Sequence, residues 1–267
     1  MSGHESDPGA RIGVTGATGR MGQEVREAAT RRGMEIAFAV NRDADPNLTD
    51  VEPAHRYEAL LAETDPDVIV DFTGPESCVE YVQAAAEAGV PVVTGTTGFA
   101  EAQRSAIEAA GAEIPVLLGA NFARGVQALI DAVETAVASL PAYDVELTET
   151  HHNGKRDAPS GTASLILDRI DDARGEPGDR VYGREGDAKR EAGEIGVHAR
   201  RAGDVTGEHE VLLAGNRETL SLTHRAGSRS VFAEGALDAA VWLLGQPAGF
   251  YRFSDVASEL ARTGGDE

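Results

Sequence analysis

Val14-Thr15-Gly16-Ala17-Thr18-Gly19-Arg20-Met21-Gly22 joins an apolar run, residues 11–15, directly to a helical pattern at 21–32. Glycines three apart let a backbone turn sharply from strand to helix and come close to a ligand. The first-turn amides and the helix dipole then attract anionic oxygens. The spacing is Gly-x-x-Gly-x-x-Gly, with Thr18 where a Gly-x-Gly-x-x-Gly loop carries its second glycine. Such a triplet can also be a plain structural turn. Its place at a strand-to-helix junction near the N-terminus favours a dinucleotide pyrophosphate, and with it an α/β nucleotide domain.

Outward from this loop the alternation continues. Short apolar runs at 36–40, 68–72, 91–94 and 115–118 alternate with helical patterns at 57–62, 78–88 and 100–110. Buried strands separated by helices predict a Rossmann-type, doubly wound parallel sheet. Four runs end in small, polar or Gly-rich loops at 16–19, 73–75, 95–98 and 119–121. Ligands of open α/β sheets bind outside those carboxyl ends, so four such loops predict one shared site.

The pattern then changes. A long helix is expected at 126–139, a strand at 145–150 and a helix at 163–170. Residues 171–193 are rich in charge and Gly without clear periodicity and read as a long loop or flap. Runs at 196–200, 208–214 and 219–225 read as strands of a mixed, largely antiparallel second sheet in an α+β domain, followed by an amphipathic helix at 230–244. Residues 1–10 are expected to be a loose tail. The nucleotide domain is assigned to 11–121, completed by 231–267, and the second domain to 122–230.

The composition narrows the function classes. A net charge of −21 and a hydrophobic fraction of 41% fit an acidic globular protein and argue against a broad nucleic-acid or anionic-membrane surface. Acid excess with arginine favoured over lysine suggests adaptation to salt. Cys78 is the only cysteine, so neither an intrachain disulfide nor a cysteine metal cluster is possible. No apolar run reaches membrane-spanning length and residues 1–10 carry no apolar signal core, so a reducing cytoplasm is the expected location.

Two stretches carry the chemistry. The second strand ends in Val40-Asn41-Arg42, where an acidic residue would hold the ribose hydroxyls of NAD and an arginine can pair with the 2′-phosphate of NADP. Arg42 therefore points to NADPH, with NADH the second candidate because Asp43 is close; an exposed arginine in a turn is the bland alternative. The other stretch is residues 149–162, Glu-Thr-His-His-Asn-Gly-Lys-Arg-Asp-Ala-Pro-Ser-Gly-Thr. Of 24 basic residues only Lys155 and Lys189 are lysine, so Lys155 near His151 and His152 suggests a required ammonium. Histidine suits proton transfer near neutral pH. Ser160 is a candidate N-cap, and Gly161 and Thr162 would open a helix toward a carboxylate.

With these motifs in place, the chain resembles the dihydrodipicolinate reductase family. The resemblance rests on residues 16–22, Asp71-Phe72-Thr73, Gly95-Thr96-Thr97-Gly98, Asn121-Phe122 and 151–162. Later matches are Arg201-Ala202-Gly203-Asp204, Gly207-Glu208-His209-Glu210 and the stretch from His224 to Arg229. It implies NAD(P)H-dependent reduction of 4-hydroxy-tetrahydrodipicolinate to tetrahydrodipicolinate with loss of water, in lysine biosynthesis through diaminopimelate. It further implies His151 as the acid/base residue, Lys155 as a proton donor, and His152, Gly161 and Thr162 as holders of the carboxylates of a small dicarboxylate substrate. Cofactor contacts are implied at Gly16, Ala17, Thr18, Gly19, Arg20 and Met21, at Gly95, Thr96 and Thr97, and at Gly119, Ala120, Asn121 and Phe122. A homotetramer built through the second domain's sheet is implied as well.

Rival readings fare worse. A short-chain dehydrogenase needs a Tyr-x-x-x-Lys pair, which Tyr57, Tyr81, Tyr143, Tyr182 and Tyr251 all lack. A nucleotide-sensing protein without turnover would have little use for both His151 and Lys155. Ser160 lacks the strand-to-helix elbow of a hydrolase nucleophile. A metal site at His151, His152, His198 or His209 has no recognised ligand spacing, so none is expected.

Overall fold

The computed structural model describes residues 9–43 and 50–263, which leaves all but the last two residues of the expected tail outside the described residues. The chain divides into two compact units, 1–122 with 229–267, and 123–228.

In chain order the first unit contains β1 (Arg11–Thr15), α1 (Arg20–Arg32), β2 (Glu35–Asn41), β3 (Glu52–Pro53), α2 (Tyr57–Thr64), β4 (Val68–Asp71), α3 (Pro75–Ala88), β5 (Val92–Thr94), α4 (Glu101–Ala110) and β6 (Pro115–Leu118). The second unit follows with α5 (Arg124–Ser139), β7 (Asp144–His151), α6 (Gly161–Arg174), β8 (Arg180–Tyr182), β9 (Ile195–Arg201), β10 (Gly207–Gly215) and β11 (Glu218–Ala226). The chain then returns to the first unit as α7 (Ser230–Leu243), β12 (Gly249–Arg252) and α8 (Phe253–Thr263).

The seven strands of the first unit form one parallel sheet in the order β12-β6-β5-β4-β1-β2-β3. Strand order reverses between β1 and β4, which makes that junction the switch point where α/β sheets open a ligand crevice. Alternation along β4 explains the layers. Val68 and Val70 join a core with Val25, Ala28, Ala29, Ala236 and Leu237 of α1 and α7. Ile69 faces the opposite core with Leu60, Val82 and Ile107 of α2, α3 and α4. Helices thus cover both faces. Truncating one such fully buried residue, as in Ile69→Ala, costs roughly 2–5 kcal/mol. α1 shows the local logic: Gly22, Val25, Ala28 and Ala29 recur on its buried side, and Gly33, at φ +73°, takes the left-handed turn that ends it.

The second unit carries a five-stranded sheet ordered β11-β10-β7-β9-β8. It is mixed: β11, β10 and β7 pair antiparallel, while β7, β9 and β8 pair parallel. The antiparallel reading therefore holds for only half of it. Alternation along β7 and β10 buries Val145, Leu147, Val211 and Leu213 on one face. α5 and α6 pack together, α6 against β7 and α5 against β11.

The loop expected at 171–193 is corrected. Its start continues α6 through Arg174, and its middle is strand β8, joined to β9 by backbone pairing. Arg180-Val181-Tyr182 hides this strand because an edge strand needs only a backbone ladder, and Tyr182 stays 65% exposed. β3, β12 and α8 add elements beyond the sequence reading.

Candidate active site

The first unit gathers its loops along the carboxyl edge of one parallel sheet. Backbone bonds stitch them: Ala17 N donates to Val40 O (3.1 Å), Phe72 N to Thr15 O (3.2 Å), Gly95 N to Asp71 O (2.9 Å) and Gly119 N to Thr94 O (3.0 Å). Gly16 sits at φ +72°, and a Cβ on it would lie 2.5 Å from the Phe72 carbonyl oxygen. A Cβ on Gly22 would lie 2.2 Å from the Gly16 oxygen, so this glycine lets α1 dock on the loop. Gly19 caps α1 without a side chain, and the first turn holds no acidic residue. Cβ atoms on Gly95 and Gly119 would meet the rings of Phe72 and Phe122 at 2.1 and 2.5 Å. Such an edge fits a dinucleotide: bare backbone, a helix start and no competing carboxylate on the first turn.

Beneath the loops lies a buried carboxylate that sequence reasoning quoted without a role. Asp71 accepts hydrogen bonds from the hydroxyls of Thr15 (2.6 Å), Thr73 (2.7 Å), Thr94 (2.8 Å) and Thr96 (2.8 Å). One residue thereby ties together the ends of β1, β4 and β5. Burial, and after it the charge of Asp71, pushes the thiol of Cys78 up, which makes this cysteine unreactive. Thr96 spends its hydroxyl on Asp71 and its amide on Thr94 Oγ1. Ala17 and Phe122 are buried, so their side chains belong to the core.

Arg42 lies beyond β2 in a 370 Å³ cavity with Gly74, Pro75, Ser77 and Gly98, and donates to Ser77 Oγ at 2.6 Å. An exposed guanidinium held by a hydroxyl near the N-terminus of α3 suits a phosphate.

The second unit brings the other predicted residues together at the end of β7. His151 is its last residue and is 8% exposed, while His152 is half-buried. The turn that follows docks on the loop after β9, with Ala202 N donating to His151 O and Asn153 N to Gly203 O. Lys155 Nζ pairs with Asp157 Oδ1 at 2.9 Å. Ala158–Pro159 is cis. Ser160 caps α6, its Oγ accepting from Ala163 N at 3.1 Å, which sets Gly161 and Thr162 on the first turn at the positive end of the helix dipole.

Three residues that sequence reasoning left without a role complete this half. Glu149, fully buried on the same face of β7 as His151, accepts from His151 Nδ1. Arg201 of β9 grips the same carboxylate with two nitrogens, at 3.0 and 2.7 Å. Burial would raise the Glu149 carboxyl, but hydrogen bonds and charge from His151 and Arg201 outweigh it and hold it at about 2. His209 of β10 packs edge-on to His151 (ring centroids 5.2 Å apart), and its Nε2 meets Ser160 Oγ at 3.0 Å. Burial first, then the charge of His151, lowers its imidazole to about 3. Among the described residues no group of three or more His, Cys, Asp or Glu could hold a metal ion. No described helix is long and apolar enough to cross a membrane.

The parallel sheet, its glycine loops at the switch point and a second unit rich in proton donors define an oxidoreductase of the pyridine-nucleotide-dependent class. Family models resolve it further: dihydrodipicolinate reductase, N-terminus, matches residues 10–122, and dihydrodipicolinate reductase, C-terminus, matches 125–257. The chain belongs to the dihydrodipicolinate reductase family. It is similar to the 4-hydroxy-tetrahydrodipicolinate reductase of Natronomonas pharaonis, 54% identical over 242 residues covering 91% of this chain and 98% of that protein. The enzyme of that name from Haloarcula marismortui is 54% identical over 248 residues, covering 92% and 98%. The solved structure of dipicolinate-bound dihydrodipicolinate reductase from a Paenisporosarcina species shares the fold, with a TM-score of 0.73 and 24% identity over 91% of this chain and 97% of that one.

Proposed function

We propose that this enzyme reduces 4-hydroxy-tetrahydrodipicolinate to tetrahydrodipicolinate with loss of water, consuming NADPH, in lysine biosynthesis through diaminopimelate. The observation that carries the reading is His151, held by Glu149 at the strand end that leads through Lys155 into the Ser160-capped helix.

When bound, the reduced nicotinamide supplies a hydride to ring carbon C4. Gly16, Ala17, Thr18, Gly19, Arg20 and Met21 would hold its pyrophosphate at the start of α1, where the helix dipole favours an anion. Gly95, Thr96, Thr97, Gly119, Ala120, Asn121 and Phe122 would line the nicotinamide side. Arg42, steadied by Ser77, favours the 2′-phosphate and hence NADPH over NADH.

His152, Gly161 and Thr162 grip the substrate carboxylates, a task for which the start of a helix is suited. His151 and Lys155 handle the protons: one leaves the ring carbon beside C4 as the C4 hydroxyl departs as water, and one is returned to that carbon after hydride reaches C4, so that one proton is consumed overall. A dianion on an acidic protein needs such local cations. The exposed edge strand β11 and the polar sheet face of Glu146 and His198, which α5 and α6 leave uncovered, support a homotetramer built through this sheet. A single cysteine, Cys78, fits a reducing cytoplasm.

A coupled assay tests the activity. Aspartate semialdehyde and pyruvate are condensed enzymatically, the protein is added in molar salt, and NADPH and NADH loss are followed separately. Faster loss of NADPH is expected; no loss of either at high or low salt contradicts the proposal.

A further inference from the structure

Glu149 moves no proton in the chemistry above, yet four nitrogens, two of them from Arg201, donate to its buried carboxylate. Its two oxygens face different parts of the site. Oε2 takes His151 Nδ1 and one Arg201 nitrogen, while Oε1 takes the second Arg201 nitrogen and the backbone amide of Ser160 at 3.2 Å. Arg201 lies opposite His151 in the β7–β9 register and also reaches the carbonyl of Asp157 at 2.6 Å. A buried Glu–Arg pair is by itself weak evidence for stability. What distinguishes this one is that its spare acceptor capacity goes to a proton-transfer ring and to the start of a helix.

We propose that Glu149 is a positioning residue, which fixes the His151 imidazole through one oxygen and the Ser160 end of α6 through the other, so that the acid and the carboxylate grip share one frame. The inference rests on the roles proposed above for His151, Gly161 and Thr162. With Nδ1–H committed to Oε2, Nε2 is the nitrogen that exchanges protons. It faces Gly207, where a Cβ would come within 3.2 Å, so the missing side chain leaves that edge of the ring clear. Among the described residues, Arg201 on β9 shares the Glu149 carboxylate with the ring and His209 on β10 packs edge-on to it, while the charge of Lys155 acts on His209. His209 stays neutral and does not compete for the carboxylate. Ser-His-Asp sites use a buried carboxylate in the same way, to hold tautomer and orientation without taking the proton.

The test compares wild type with Glu149→Gln and Glu149→Asp, reading the His151 ring by nitrogen-15 NMR (assigned by its loss in His151→Gln) alongside kcat, KM and NADPH affinity. Expected in wild type is a neutral ring that carries its proton on Nδ1, leaving Nε2 as the nitrogen that exchanges protons. Glu149→Gln, whose amide can donate to Nδ1, should abolish the preference for Nδ1–H and lower kcat about 10²-fold or more, with NADPH affinity within about twofold. Glu149→Asp, which keeps the charge on a shorter stem, should recover part of kcat. If Glu149→Gln does not fold, Glu149→Gln/Arg201→Gln removes both buried charges and is read identically. Wild-type kcat with an unchanged Nδ1–H tautomer of His151 in either carboxamide variant overturns the proposal. Absence of turnover in wild type, with Nδ1–H still pinned and lost in Glu149→Gln, would overturn the proposed function and leave the positioning intact.

Discussion

Acid should unfold this protein partly through one imidazole. His209 is 2% exposed, and its Nδ1 has no hydrogen-bond partner, so a proton added there gains neither water nor an acceptor. Burial and the neighbouring His151 hold its folded-state pKa at about 3, against 6.5 for an imidazole free in water. A lowered imidazole pKa means that the unfolded chain binds the extra proton and the folded one refuses it. Stability from this group is therefore full above pH 6.5 and drains as pH falls toward 3. Between pH 7 and 4.5 the unfolded state gains about 2.5 kcal/mol from protonating His209, at 1.36 kcal/mol per pH unit below its own pKa. Glu149, held at about 2, gives up most of its contribution below pH 4.5 and scarcely enters this window. The assay is urea unfolding followed by circular dichroism at one protein concentration in molar KCl, for wild type and His209→Gln. Whatever the variant loses at pH 7 through packing, wild type should lose about 2.5 kcal/mol more than the variant on going to pH 4.5. Parallel losses, within about 0.5 kcal/mol, would refute the reasoning.

Three further outcomes follow from the same geometry. Asp71→Asn replaces an acceptor of four hydroxyls by a group that must donate to some of them, at a cost of about 2–3 kcal/mol, and loosens the loops at β1 and β5. Thermal unfolding should come earlier and NADPH titration should show about tenfold weaker binding; wild-type values in both contradict the knot's role. Arg42→Ser should lower kcat/KM with NADPH about tenfold or more and leave NADH nearly unchanged, since one charged phosphate contact is lost; an equal fall with both cofactors removes the preference. Because the net charge is −21, lowering KCl from molar to millimolar should reduce the denaturation midpoint as repulsion loses its screening. An unchanged midpoint argues against salt adaptation.

The parallel sheet was legible because its strands are buried on both faces. Val68-Ile69-Val70 and Pro115-Val116-Leu117-Leu118 are continuous apolar runs between helices, and the β1–α1 glycines mark the switch point directly. β8 was not, since Arg180 and Tyr182 satisfy no burial pattern and the strand exists through its ladder with β9. β12 escaped for a similar reason, being a half-buried edge strand of four residues. In the site, Lys155 stood out by rarity and His151 by chemistry. Glu149 left a readable signal, since residues two apart on a strand share a face and Glu149-Thr150-His151 places carboxylate and imidazole side by side. Arg201 and His209 reach the site from β9 and β10, across a register no local pattern encodes. Asp71 was hidden in the same way, because its four hydroxyl partners are gathered from three strand ends.

In the proposed function His151 and Lys155 move the protons while the glycine edge holds the hydride carrier. The most direct measurement is kcat of His151→Ala and Lys155→Ala in the coupled assay, beside the NADPH dissociation constant of each variant. Each kcat should fall by about 10²–10⁴, the range for a positioned acid or base, with NADPH binding within about twofold of wild type. Near-normal turnover in either variant would contradict it.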